Sequence, residues 1–173
     1  MEKKILTQIH WRLSDPVLFD FVSSYVDYME ETFVSMNVSI AKAYWMVQYI
    51  SELALQCNVS LCIYEPSLIG ACVISLCLQW LGSGNQENSN NSRNNFDNLR
   101  NIWPKRLEEV SMYELKSDKK IIQDCTKALL LNITHVKTTL PELKVISKRF
   151  RKSERGRVSD LPLPGISRFE AII

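Results

Sequence analysis

The stretch from Tyr64 to Trp80, YEPSLIGACVISLCLQW, decides the fold. No charged residue occurs between Glu65 and Glu87. From Leu68 to Leu81 every residue except Gln79 is apolar or small. A helix that is apolar all round has no solvent face, so it must be covered on every side. Its roughly 14 apolar residues fall short of the ~20 needed to cross a bilayer. Pro66 fits the first turn, with Ser67 or the residue before Pro66 as the expected cap. Gly70, Ala71, Cys72, Ser75 and Cys77 are small and let neighbouring helices come close. The plain reading is an ordinary core helix. The sharper one is a single helix caged by a ring of others.

The rest of the chain supplies helices for that cage. Ile5, Leu6, Ile9 and Leu13 share a face over residues 2–13. Ser14, Asp15 and Pro16 break that helix and start another over 16–34, carrying Leu18, Phe19, Val22, Val26, Met29 and Phe33. Asn37, Val38 and Ser39 form the next break. Residues 40–56 continue with Ala43, Trp45, Met46, Tyr49, Ile50, Leu53 and Ala54. A short helix is expected from Lys105 to Val110. A long one is expected over 117–138, capped by Ser117, with apolar positions Ile121, Ile122, Cys125, Leu129, Leu130, Ile133 and Val136. Pro141 opens a last helix through Leu143, Ile146 and Phe150. No stretch alternates with period two, so an all-α class is predicted.

Two segments lack such a pattern. Residues 82–100 are rich in Asn, Ser and Gly, bury too little to offset their ordering entropy, and read as a disordered insertion within a domain. Residues 158–165, VSDLPLPG, read as an extended tail.

The bulk properties exclude several classes. The 173 residues suffice for one domain with a full core. A net charge of +2 exerts no general pull toward nucleic acid or membrane. The five cysteines form no C-x-x-C pair, which fits a reduced intracellular protein better than disulfides or zinc. No apolar signal segment opens the chain. His10 and His135 are far apart, and no catalytic, cofactor or metal constellation is evident. The most basic run is Lys144 to Arg157. Cations at a helix C-terminus oppose the macrodipole, which accounts for much of it. A phosphate or phosphopeptide contact at Lys148, Arg149, Arg151 and Lys152 is the alternative reading.

Several motifs carry a resemblance. Tyr64-x-Pro66-Ser67-Leu68-Ile69-Gly70-Ala71, followed by Leu76-Cys77-Leu78, resembles the Y-x-P-S-x-I-A-A-A…L-A-L signature of cyclins. Trp103-Pro104-x-x-Leu107…Tyr113 is similar to the W-P-x-x-L…Y segment of A/B-type, mitotic cyclins. Ile146-x-x-x-Phe150-x-x-Ser153…Val158-Ser159-x-Leu161-Pro162 is similar to their closing stretch. Met1-Glu2-x-x-Ile5-Leu6…Trp11-x-Leu13-x-x-Pro16 resembles the last helix of the first cyclin box and its exit.

The resemblance implies a second, C-terminal cyclin box: an orthogonal bundle of five helices around a buried central one, preceded by one extra N-terminal helix. Residues 1–14 would be the last helix of a truncated first box. Residues 15–157 would be the second box with its insertion at 82–100, and 158–173 the tail. The implied function is regulatory rather than enzymatic. It is binding and activation of a cyclin-dependent protein serine/threonine kinase in cell-cycle control, in the nucleus or cytoplasm. Glu2 falls on the family's kinase-bonding glutamate. Leu6, Trp11 and Leu13 fall on positions that form the pocket for the kinase's regulatory helix. Trp11 stands where the family usually has Phe, and most of the family's first box has no counterpart in this sequence. A stand-alone cyclin-fold interaction module is the alternative. A nucleic-acid-binding cyclin fold sits poorly with the low net charge.

Overall fold

The computed structural model describes residues 4, 7–8, 16–56, 63–82, 103–139 and 144–161. All regular structure among them is helical. The α-helices are α1 (Leu18–Tyr28), α2 (Glu30–Ser35), α3 (Ile40–Leu55), α4 (Pro66–Gly82), α5 (Lys105–Ser111), α6 (Lys119–Thr139) and α7 (Lys144–Phe150). Two 3-10 turns, Ser153–Arg155 and Val158–Asp160, follow.

The apolar run forms α4, and Pro66 is its first residue. Residues Leu68 to Leu78 are all buried without interruption. Among the described residues, four helices pack on it: α1, α3, α5 and α6. Full burial of each Leu, Ile or Val there stabilises by ~1.5–3 kcal/mol, and among the described residues α4 supplies more of the buried core than any other helix. Gly70 is where α1 comes closest. A Cβ built there would lie 3.2 Å from Phe21 Cβ and 3.3 Å from Tyr25 Cε2. Cys72, Cys77 and Cys125 are buried free thiols and serve as small apolar fillers. Burial raises the Cys77 thiol well above its ordinary value.

Four sequence expectations need correction. The helix expected over 16–34 is two helices. Met29, fully buried, ends α1 with φ −89° and ψ 4°, and its N–H bonds both Tyr25 O and Val26 O. The break redirects α2 so that Phe33 is also fully buried. Pro16 lies outside α1, which starts at Leu18; Asp20 accepts the Val17 N–H at 2.8 Å and supplies the N-terminal acceptor. Ile121 is 45% exposed, so the apolar face of α6 begins at Ile122 rather than one residue earlier. Residues 158–160 are not extended. They form a 3-10 turn that places Val158 in the core at 0% exposure.

Other expectations lie outside the described residues. These are the apolar face of residues 2–13, the Asn-rich stretch beyond Gly82, and Pro141 and Leu143. Among the described residues no helix is long and apolar enough to cross a membrane.

Candidate functional site

Among the described residues, polar side chains from distant parts of the chain meet in several places: Arg106 of α5 pairs with Glu31 of α2, and two larger clusters stand apart from that pair. The first joins three of the motif residues. Helix α5 ends on Met112, whose φ of 64° is left-handed, an uncommon conformation for a non-glycine residue. The chain beyond it is tied back, because Glu108 accepts the Leu115 N–H at 2.9 Å. Tyr113 therefore points toward α4. Its hydroxyl lies 3.0 Å from Ser67 Oγ and donates to Glu65 Oε2 at 3.1 Å. Its carbonyl accepts the Trp103 indole N–H at 3.2 Å. Burial raises the Tyr113 phenol above its ordinary value, and the Glu65 carboxylate adds to that. Ser67, an expected cap, thus bonds across helices instead. This cluster is a fastener between α4 and the α5 turn, and its groups are satisfied by one another.

The second cluster is basic and aromatic. Phe150, at the end of α7, is fully buried against α3. Its ring centroid lies 5.3 Å from that of Tyr49 and 6.4 Å from that of Trp45. Burial raises the Tyr49 phenol above its ordinary value, against a hydrogen bond with Ser147 and the charge of Arg151. Over this shelf lie arginines. Arg149 Cζ is 5.2 Å from the Phe150 centroid. Arg155 Cζ is 5.1 Å from the Trp45 centroid and 5.4 Å from that of Phe150. Guanidinium groups stack on aromatic faces more readily than ammonium groups do.

Carboxylates neutralise some of these cations. Arg149 pairs with Glu52 of α3. Asp160 accepts from Arg151 Nε at 2.8 Å and from Arg157 Nε at 3.2 Å. Desolvation pushes the Asp160 carboxyl up, but the hydrogen bonds and charges of Arg151 and Arg157 outweigh it and hold the group below its ordinary value. Asp160 is therefore a clasp that ties the final turn to the end of α7.

The four cations expected to meet phosphate thus divide. Arg149 and Arg151 have partners within the chain, whereas Lys148 and Lys152 are exposed. Sequence reasoning missed Glu52 and Asp160 as partners. The Arg157–Asp160 spacing of three residues was a usable hint; nothing local connects Glu52 to Arg149. Glu2, Leu6, Trp11 and Leu13, the expected kinase-binding residues, lie outside the described residues. Among the described residues no group of three or more His, Cys, Asp or Glu could hold a metal ion. His135 is exposed on α6.

No protein-family model, curated protein or solved structure matches this chain.

Proposed function

We propose that this chain is a cyclin-type regulatory subunit, not an enzyme, carrying the second cyclin box of an A/B-type cyclin. Its role is to bind and activate a cyclin-dependent protein serine/threonine kinase in cell-cycle control. The observation that carries the reading is the junction of Ser67, Trp103 and Tyr113. These residues belong to two separate motifs of the resemblance and lie up to 46 residues apart. Their contact gives a physical reason for the two motifs to occur together. The caging of α4 by α1, α3, α5 and α6 supports it as well, because the signature lies on that helix.

The kinase face of the proposal is the segment Glu2, Leu6, Trp11 and Leu13. An aromatic and aliphatic anchor beside one carboxylate is the composition of an interface hot spot. The cyclin would press the kinase's regulatory helix inward and complete the Lys–Glu pair that orders the active site.

The test fuses the chain to a complete first cyclin box. Pull-down and phosphorylation assays then follow with a panel of cyclin-dependent kinases. Binding and stimulation of at least one kinase are expected, and Glu2→Ala or Leu6→Ala should weaken both. Binding without stimulation would favour the stand-alone interaction module. No binding to any kinase would refute the regulatory reading.

A further inference from the structure

The basic cluster has more cations than its own carboxylates neutralise. Residues 144–161 hold seven Lys or Arg and two acidic residues. Glu52 accounts for Arg149, and Asp160 serves Arg151 and Arg157 together. Arg155 has no carboxylate contact among the described residues; it lies across the Trp45 and Phe150 rings. A guanidinium held against aromatic rings, with its N–H donors not committed to a carboxylate, can grip a tetrahedral oxyanion in bidentate fashion.

Two lysines lie on the adjoining segments. Lys42, on the first turn of α3, runs beneath the loop: a Cβ built at Gly156 would lie 3.5 Å from Lys42 Cγ. Lys42 is one turn before Trp45 on α3, so the two share a face. Lys152 opens the Ser153–Arg155 turn, and its carbonyl accepts the N–H groups of Arg155 at 3.0 Å and Arg157 at 3.3 Å. Lys42 and Lys152 are both exposed. The loop that carries Arg155 is held by the Asp160 clasp, and Gly156 and Arg157 adopt left-handed φ of 63° and 52°. Lys152 and Arg155 are thus presented on a braced turn, beside Lys42 of α3.

We propose that Lys42, Lys152 and Arg155 form a docking point for a phosphorylated Ser or Thr side chain of a partner peptide. A phosphoryl group carries about −1.5 to −2 charges and three acceptor oxygens, which suits one fixed guanidinium and two mobile ammonium groups. A nucleic-acid strand is the poorer fit. It would need a run of cations along its backbone, and Glu52, Glu154 and Asp160 interrupt any such track. Nothing in this docking point depends on the chain being a cyclin-type regulator.

The test is fluorescence anisotropy with the full chain, against a degenerate phosphothreonine peptide library and its unphosphorylated twin. The phosphorylated library should bind about tenfold more tightly. Lys42→Glu and Lys152→Glu should each remove that difference, while Tm stays unchanged. Arg155→Lys should restore less than half of the loss seen in Arg155→Ala, because an ammonium cannot bind in bidentate fashion. Lys120→Glu, an exposed charge reversal on α6, should have no effect. Equal affinity for the two libraries, or equal damage from Lys120→Glu and Lys42→Glu, would overturn the proposal. So would tighter binding of a dodecamer of thymidylate than of the phosphopeptides, since that identifies a nucleic-acid surface.

Discussion

Gly70 offers a measurement of how tightly α4 is held against α1. Replacing it with Ala has two opposed effects. Ala is better in a helix interior than Gly by ~0.8–1 kcal/mol. The added Cβ, however, meets Phe21 Cβ at 3.2 Å, Tyr25 Cε2 at 3.3 Å and Val22 Cγ1 at 3.5 Å. The Tyr25 ring edge can turn away. Phe21 Cβ cannot, because it is fixed to the α1 backbone, so α1 itself must retreat by a few tenths of an ångström. The two effects nearly cancel, and Gly70→Ala should change stability by less than about 1 kcal/mol. Gly70→Val adds two further methyl groups to a space already closed. Overpacking of that kind costs ~1–3 kcal/mol. Val also loses about half a kcal/mol of helix propensity relative to Ala. For a chain of this size ~1 kcal/mol corresponds to ~2–4 °C, so the Val variant should melt about 3–14 °C below the Ala variant. Circular dichroism at 222 nm during heating provides the readout. Equal melting of the Val and Ala variants would show that α1 does not press on α4 at this point.

Three further outcomes are expected. Ala71→Arg places an unpaired guanidinium at a position with 0% exposure, at a cost of several kcal/mol, and should leave the chain unfolded; a soluble variant with unchanged Tm would refute the burial. Ser67→Ala and Tyr113→Phe, taken singly and together in urea melts, should show a coupling of ~0.5–1.5 kcal/mol, and strict additivity would mean that the two hydroxyls do not meet. The Asp160 pKa is lowered on folding, so its clasp contributes above the ordinary value of 3.8 and is lost as pH falls through the depressed value. A small Tm difference between the wild type and Asp160→Asn should therefore exist at pH 6 and vanish in strong acid; the same difference at both would refute the pairing.

The central helix was legible because its signal is compositional. A run without charge and without a polar face allows one outcome whatever surrounds it. The break at Met29 was not legible, because the apolar spacing continues through it. Only the three-dimensional demand that Phe33 reach the core separates α1 from α2. Ser67 shows a different limit. A serine beside a proline at a helix start reads as a cap, yet its partner is Tyr113, 46 residues on. The basic run was visible as charge. Which of its members are free depends on Glu52 and Asp160, whose positions follow from packing rather than from local sequence.

The placement of α4 in chain order has a consequence for biosynthesis. Its covers come from both sides of it in sequence: α1 and α3 precede it, α5 and α6 follow. On a ribosome moving at ~5–20 residues per second, the segment between Gly82 and Lys119 imposes a wait on the order of seconds before α6 even begins to emerge. During that interval an uncharged helix stands half covered beside its nascent neighbours. The newborn chain is then at its stickiest, and the period before α6 arrives is when a chaperone would have most to hold.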